Sequence, residues 1–435
     1  MGPSTPMGKL MRNYWLPACL SEELPEPGCD PIEVTLLGEE LVAFRNEDGE
    51  VGLMDRYCPH RRANLAWARP EGCGLRCIYH GWYIGADGQV IETPPESPNS
   101  QRARTAKTTS YPTREHAGIV WAYLGATKGN EVPDMPPFPF MDLPDDRIVS
   151  FKLVQPNNWV RVLDAEMDAG HAGYLHYSED LHKSELEKHY DGHKFLFDPV
   201  PSVWVKRYPW GLENVMRFGL EDPDRSTFWV RHFIAPCFGI SGQKDGARGR
   251  VVAKIPNDNN STTVYYIYFR ADAAMSREEV IAHDKYLLAT SGDPNNDYYS
   301  TEWIDGVGYV QNRQSMRDGK SYSGIRGVAI QDHAVTWSMG EEVDLSKEHL
   351  GTEDEIVIKV RRTLLDLLDI IDAGEKLPSV DWSKVQYRWV VKPTDTPLAD
   401  ISAHPEWATT PEPVPADWQP AQAAWQPIFT NSSSK

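Results

Sequence analysis

The sequence predicts an α+β fold, in which an N-terminal antiparallel β-domain precedes a larger domain whose antiparallel sheet grips a long C-terminal helix. Three features lead to this prediction. Strand-like segments separated by turn residues precede and follow a stretch with two mixed Cys/His pairs, at residues 58–80. Further strand-like segments fill residues 202–272, and a long amphipathic helix is predicted within 354–374.

The composition limits the class of protein. With a formal net charge of −19, the chain lacks the basic footprint that phosphate binding requires, so no nucleic-acid partner is expected. No run of about 18 apolar residues and no N-terminal signal peptide is visible, which favours a cytoplasmic enzyme without a membrane anchor. The six cysteines do not suggest a disulfide framework, and we expect Cys19, Cys29, Cys73 and Cys237 to be ordinary thiols.

The first domain is predicted to consist of hairpins. Residues 8–23 indicate a short helical or looped lead-in, and the strands that follow turn at Gly38–Glu39 and Asp48–Gly49. Another hairpin turns at Asp87–Gly88, and residues 116–125 indicate a buried strand. The Cys/His pairs therefore lie on loops that project from one end of an antiparallel β-domain.

The second half of the chain changes in character. Residues 160–190 have helical spacing, residues 277–291 predict a helix, and the helix at 354–374 is closed by Gly374. We divide the chain into a lead-in, a metal-carrying domain, a Pro-rich linker, a catalytic domain and a Pro/Trp-rich tail: 1–24, 25–131, 132–150, 151–391 and 392–435.

The strongest chemical signal is the pair Cys58 and His60 followed by the pair Cys77 and His80. A structural zinc site usually pairs like ligands, whereas here each pair mixes a thiolate with an imidazole. The pattern suits a 2Fe–2S cluster of the Rieske kind, in which two Cys hold one iron and two His hold the other. Four unrelated residues or a small zinc knuckle are the alternative interpretations.

A second set of potential ligands lies in residues 157–180. Its members are Asp164, Asp168, His171 and His176. Asp168 and His171 would share one face of a helix, whereas His171 and His176 would share a metal only if the helix is distorted between them. Gly170 and Gly173 make such a distortion inexpensive, although unrelated histidines on a polar helix remain the alternative.

Two histidines need a carboxylate to complete a facial triad for non-haem Fe(II), a site with open positions for O2 and substrate. Asp332 is a plausible third ligand because it interrupts an otherwise apolar stretch at 326–337, and a buried acid needs a cation to stay ionised. A helix-capping or surface Asp is the alternative.

Together these motifs resemble the large oxygenase subunit of Rieske non-haem iron oxygenases. The segments GLRCIYHGWYIGADGQV and QDHAVTWSMGEEVDLSKEHLGTEDE are similar to the branch that contains phthalate dioxygenase, phenoxybenzoate dioxygenase and dehydrodivanillate O-demethylase. The resemblance implies a Rieske β-domain followed by a helix-grip catalytic domain. It also implies a homotrimer or a hexamer of stacked trimers.

The resemblance further implies a role for each motif residue. Cys58 and Cys77 would ligate one cluster iron and the two histidines of that motif the other. A mononuclear iron would be held by His171, His176 and Asp332. Asp168 would be the catalytic bridge between the two centres, hydrogen-bonded to His171 and, across a subunit interface, to His80 of the neighbouring protomer.

The expected activity is dihydroxylation of an aromatic carboxylate. Electrons would come from NAD(P)H through a separate flavin- and ferredoxin-type reductase, because the chain has no dinucleotide-binding motif and no plant-type Cys-x4-Cys-x2-Cys run of its own. O-demethylation of an aryl ether is the alternative reaction, and a Rieske electron carrier is the alternative class. Arg217 and Arg231 lie on predicted strands that could face a substrate carboxylate, although the residue type favours ordinary surface arginines.

Overall fold

Antiparallel sheets form the framework of both halves of the protein. The computed structural model describes residues 1–97, 99–125, 132–168, 170–176, 202–219, 224–242, 248–283, 294, 298, 300, 303–304, 307–341 and 343–405. Within these residues the order of elements is a β-rich N-terminal half, then a larger sheet with helices packed against it. The predicted α+β class is confirmed.

The N-terminal half contains three small sheets. Their strand orders are β1-β11-β10, β2-β3-β4-β9 and β5-β6-β7-β8. The strands are β1 Trp15–Leu20, β2 Ile32–Leu36, β3 Glu39–Arg45, β4 Val51–Asp55, β5 Arg69–Glu71, β6 Gly74–Arg76, β7 Tyr83–Gly85, β8 Val90–Glu92, β9 Ser110–Tyr111, β10 Thr113–His116 and β11 Ile119–Tyr123. The predicted hairpin turns all join neighbouring antiparallel strands.

The lead-in differs from its prediction. A short helix, α1 (Pro6–Met11), is followed by strand β1, which is buried throughout and pairs with β11. The pairing shifts register between Pro17 and Cys19, because proline has no N–H to offer a ladder. Because proline is uncommon within paired strands, the sequence pattern alone did not predict β1.

The second half is built on one eight-stranded antiparallel sheet. Its order is β12-β18-β17-β16-β15-β14-β13, and β19 also pairs with β15. The strands are β12 Ile148–Gln155, β13 Ser202–Tyr208, β14 Gly211–Gly219, β15 Arg225–Ile234, β16 Phe238–Gly242, β17 Arg248–Pro256, β18 Thr262–Arg270 and β19 Arg388–Pro393. The strands predicted within 202–272 are present, but β12, the short glycine-containing β16 and β19 were not predicted.

Helices precede, interrupt and follow the strands of this sheet along the chain. They are α2 Arg102–Thr105 in the N-terminal half, then α3 Trp159–Met167, α4 Ala172–Leu175, α5 Arg277–His283, α6 Arg313–Arg317, α7 Val328–Ser338, α8 Glu355–Asp372 and α9 Leu398–Ala403. Helix α3 contacts β17, α7 contacts α3, and α8 contacts both β14 and α3. The helices α3 and α7 thereby come to lie side by side above the sheet.

Helix α8 confirms the predicted long amphipathic helix. Its buried residues Ile356, Val360, Leu364 and Leu367 follow helical spacing and join the main hydrophobic core. Burying each such side chain contributes roughly 1.5–3 kcal/mol, which explains why this helix stays on the sheet. The described part of the predicted helix at 277–291 is α5, and residues 284–291 lie outside the described residues.

The sheet also packs on the N-terminal half through aromatic rings. Trp121 stacks on Phe138, Phe140 and Phe238, and Phe140 in turn contacts Phe269. In the predicted tail, α9 buries Ile401 against the sheet, while residues 406–435 lie outside the described residues. Among the described residues, no helix is long and apolar enough to cross a membrane.

Candidate metal centres

The first candidate centre lies on two loops, between β4 and β5 and between β6 and β7. Each loop closes with the same main-chain bond, from the amide four residues after the cysteine to that cysteine's carbonyl. The distances are 2.9 Å for Arg62 to Cys58 and 2.9 Å for Gly81 to Cys77. The donor residue is left-handed in both, with φ of 60° at Arg62 and 71° at Gly81. The two ligand pairs are therefore presented by matching turns.

The two loops present four potential ligands, two thiols and two imidazoles. Cys58 and Cys77 are buried, and the rings of His60 and His80 lie edge to face with centroids 4.5 Å apart. Trp82 stacks on His60 with an interplanar angle of 2°. Nδ1 of His60 is buried and has no hydrogen-bond partner among the described residues, so a metal would satisfy it.

Burial raises the pKa of the Cys58 thiol to about 11, and the neighbouring Cys77 contributes to the rise. Burial together with the charges of His60 and Arg61 lowers the pKa of His80. The site thus presents a protonated thiol and a neutral imidazole at neutral pH. A metal that binds here must displace the thiol proton, as is usual for cysteine ligands. The donor set fits the predicted 2Fe–2S cluster.

The second candidate centre joins residues far apart in the sequence. His171 and His176 flank the single turn of α4, and Asp332 lies within α7. Oδ1 of Asp332 is 3.4 Å from Nε2 of His171 and 3.4 Å from Nε2 of His176. Among the described residues, these three form the group whose ligand atoms converge within 4.8 Å.

The environment of the triad fits a cation. Oδ1 of Asp332 is buried and accepts no hydrogen bond from the described residues. The other ring nitrogens are occupied: Nδ1 of His171 lies 3.1 Å from Oδ2 of Asp168, and Nδ1 of His176 lies 2.7 Å from Oε1 of Gln331. Each imidazole therefore donates outward through Nδ1 and turns Nε2 toward the shared point, as metal-ligating histidines do.

Gln331 was not identified from the sequence. Its amide nitrogen donates to the carbonyl of Ile325 at 2.8 Å, which fixes the oxygen toward His176. The available signal was its position beside Asp332 in an apolar stretch, where a buried amide also needs partners.

The backbone around Asp168 corrects one prediction. Asp168 and His171 do not share a helix face, because α3 ends at Met167 and Asp168 continues with an extended ψ of 140°. The amide of Gly170 donates to Oδ1 of Asp168 at 2.7 Å, which leaves Oδ2 for His171. The break in the helix thus precedes His171, whereas we predicted a distortion between the two histidines.

The charges of the triad depend on one another. Burial alone would lower the pKa of His171, but the nearby carboxylates of Asp168 and Asp332 outweigh burial and raise this pKa to about 10. Burial opposes ionisation of Asp332, yet the two histidines lower its pKa. Burial lowers the pKa of His176. Without metal, one proton is thus held on His171 between two carboxylates.

The remaining candidates among the acids and arginines have other contacts. Asp164 receives a hydrogen bond of 2.6 Å from Arg361, which also binds Glu348, so this acid ties α3 to α8. Arg217 donates to the carbonyl of Thr394 at 2.9 Å and to Oγ of Ser202 at 2.6 Å. These contacts give the guanidinium of Arg217 hydrogen-bond acceptors within the protein. Its substrate-binding role stays a prediction.

Arg231 is buried beneath the second centre. Its terminal nitrogens donate to the carbonyl oxygens of Glu166 at 2.9 Å and Met167 at 3.1 Å. These contacts place it against the chain next to Asp168, although they commit its donors to the protein. Its predicted role as a substrate ligand is likewise untested. The four cysteines outside the loops, Cys19, Cys29, Cys73 and Cys237, are free thiols.

Two family models together match most of the chain. Residues 14–112 match the Rieske [2Fe-2S] domain. Residues 122–392 match the family described as LigXa C-terminal domain like. The first match contains the Cys/His loops, and the second contains all three residues of the triad.

Full-length similarity leads to the same group of proteins. The chain is 32% identical over 428 residues to the phthalate 4,5-dioxygenase oxygenase subunit of Pseudomonas putida, covering 92% of this chain and 95% of that one. It is 38% identical over 179 residues to the 5,5'-dehydrodivanillate O-demethylase oxygenase subunit of a Sphingobium strain, covering 40% and 41%. Dicamba monooxygenase with bound dicamba shares the fold, with a TM-score of 0.55 at 19% identity over 83% of this chain and 98% of that one.

Proposed function

Since this chain belongs to the Rieske non-haem iron oxygenases, we propose that it is a terminal oxygenase component that dihydroxylates an aromatic carboxylate. It is an oxidoreductase of the Rieske type, with a 2Fe–2S cluster and a mononuclear iron as cofactors. The observation that carries the proposal is the convergence of His171, His176 and Asp332 in a chain that also bears the Cys/His loops.

Each site residue has a separate task in this proposal. Cys58, Cys77, His60 and His80 hold the cluster. His171, His176 and Asp332 would hold the mononuclear iron. When bound, the two metal groups supply one-electron transfer and the activation of O2. The protein orients both imidazoles and keeps Asp332 ionised.

Asp168 is proposed to connect the two centres. Its Oδ2 lies 3.1 Å from Nδ1 of His171, and Asp168 is only partly buried. A head-to-tail trimer, alone or stacked as a hexamer, would bring the neighbouring subunit's copy of His80 to its free side. A heterologous ring is the closed assembly in which each subunit can serve the next.

The electrons are proposed to come from NAD(P)H through a separate flavin- and ferredoxin-type reductase. The matched relatives are named as oxygenase subunits, which implies an electron-transfer partner. The sequence itself contains no G-x-G-x-x-G motif with which to bind a nicotinamide dinucleotide.

The sheet beside the triad supports an aromatic acid as substrate. Val162 of α3 packs on Val252 and Val264, and Tyr266 packs against them. Burial raises the pKa of Tyr266 to about 12, while Arg250 lowers and Asp332 raises it, so this phenol lies near both charges. Apolar side chains and a guanidinium thus lie close to the triad, and these are the two kinds of contact that a ring carrying a carboxylate requires. The full-length relative is named for phthalate, an aromatic dicarboxylate.

Product analysis tests the proposed reaction. The purified protein, loaded with both metal groups and supplied with a surrogate reductase and NADH, is incubated with phthalate under ¹⁸O2. Two labelled oxygens in the product support dihydroxylation. One labelled oxygen overturns it and favours a monooxygenase such as an O-demethylase, for which dehydrodivanillate is the second substrate to test. NADH oxidation alone is not scored, because uncoupled turnover produces it.

A further inference from the structure

A buried cation lies directly behind the proposed bridging carboxylate. Arg231, in β15, is 5% exposed. Its bonds to the carbonyls of Glu166 and Met167 fall on the last two residues of α3, immediately before Asp168. Its Nε donates to Oδ1 of Asn214 at 3.3 Å. Arg231 therefore closes the end of the helix that leads into Asp168.

This end of α3 needs such a partner. The last carbonyl groups of a helix have no N–H donor within the helix. A glycine in the left-handed conformation after the helix commonly allows backbone N–H groups to satisfy them. Here the backbone becomes extended at Asp168, so the guanidinium takes over that role. The negative end of the helix dipole also favours a cation at this place. Burial lowers the pKa of Arg231 to about 9 and Asp168 opposes the shift, so the side chain is charged at neutral pH.

A second buried basic side chain contacts the same end of α3. Lys254 of β17 is 1% exposed and forms an ion pair with the carboxylate of Glu166. Between the two strands lies Gly239 of β16, where a Cβ atom would come within 2.7 Å of Oε1 of Glu166. The sheet thus provides two buried basic side chains at the end of α3, and Gly239 leaves room between them for the carboxylate of Glu166.

We propose that Arg231 and Lys254 are positioning residues, which hold the end of α3 so that Asp168 keeps its contact with His171. Three neighbouring strands contribute, through Arg231, Gly239 and Lys254. A helix end freed from them would move Asp168 relative to His171, and a displacement of about 1 Å can cost up to ~10²-fold in rate. The inference rests on the proposed bridging role of Asp168, and it replaces substrate binding as the role of Arg231.

The test compares Arg231→Met with the unmodified full-length protein, both loaded with iron. Rieske clusters are reduced beforehand, phthalate is added as the aromatic probe, and cluster oxidation is followed after mixing with O2. We expect oxidation at least about tenfold slower, at unchanged iron content. A second readout needs no substrate: the electron paramagnetic resonance spectrum of the iron–nitric oxide adduct should change at the mononuclear site.

Arg388→Met is the matched control. Arg388 is also a buried arginine of the same sheet, and it binds the carbonyls of Ile401 and His404 at the end of α9. We expect its loss to lower the melting temperature to a similar extent and to leave both readouts unchanged. In steady state, a positioning role lowers kcat for Arg231→Met, whereas a substrate ligand would raise KM.

Several outcomes would overturn the proposal. A normal rate of cluster oxidation in iron-loaded Arg231→Met would overturn it. A lower rate that is fully explained by a lower iron content would also overturn it. If that variant does not fold, Arg231→Lys and Lys254→Met take its place, and normal rates in both overturn it. Asp168→Asn separates the two levels of inference: if it oxidises its cluster normally, the bridging role fails, and if it alone is slow, only the positioning role fails.

Discussion

The two metal centres are built in opposite ways. The Cys/His centre stands on two matching hairpin loops, with exposed Ile78 and Tyr79 beside its ligands. The His/His/Asp centre lies between two helices above a sheet, and both of its histidines are hydrogen-bonded on the side away from the ligand point. An exposed loop suits the exchange of electrons with other proteins. Ligands held from behind suit chemistry that requires fixed geometry.

The largest expected effect is the loss of one metal centre while the other is retained. Asp332→Ala removes one of three ligands and leaves Nε2 of both histidines without their anion, so the mononuclear iron should be lost and turnover abolished. Metal analysis should fall from three irons and two acid-labile sulfides per chain to two irons and two sulfides. The reciprocal variant Cys77→Ala should lose the sulfides and retain one iron. Loss of both metal groups in either variant would show that the centres are not independent.

Asp168→Asn tests whether the centres communicate through this carboxylate. The amide keeps the size of the side chain but removes its charge, so we expect turnover to fall by roughly 100-fold while the Rieske absorption spectrum stays intact. Three irons per chain should remain. The control is Asp344→Asn, an exposed acid that caps a short turn and should retain full activity. Unchanged turnover in Asp168→Asn would refute the bridge.

Gln331→Leu removes support from one ligand of the second centre only. His176 would keep its position but lose the acceptor at 2.7 Å that orients Nδ1. We expect Fe(II) affinity to weaken by roughly 10–100-fold, measured by titration of iron-free protein. Gln314→Leu, at an exposed glutamine on α6, is the control. Equal affinities in both variants would mean that the hydrogen bond does not tune the ligand.

The smallest expected effect concerns protons. The pKa of His171 is raised to about 10 in the metal-free protein, above its usual value near 6.5. Its contribution to metal-free stability is therefore fully present below pH of about 6.5 and is lost as pH rises through about 10. Iron binding at pH 7 should release this proton, as calorimetry in buffers of different ionisation enthalpy can measure. If iron binding released no net proton, His171 would not carry the additional proton in the metal-free protein.

The same contrast explains what the sequence could predict. The four proposed Cys/His ligands lie within 23 consecutive residues, 58–80, so their spacing alone predicts a shared site. Asp332 lies far along the chain from His176 and was predictable because a lone acid in an apolar stretch requires a partner. Gln331 and Arg231 were not recognised as supports, since their function depends on which side chain a fold brings opposite them. The strands β12 and β19 escaped prediction for the same reason: pairing with distant strands defines them.

Helix α4 has only one turn, and the proposed ligands His171 and His176 flank it as its caps. Isolated helices of this length are unstable in water because nucleation is unfavourable and a single turn adds too few hydrogen bonds to offset it. A metal that binds both ends would act as a staple across the turn. The protection of the α4 amides against hydrogen exchange should therefore rise with iron loading, which makes this turn a local gauge of how fully the enzyme is assembled.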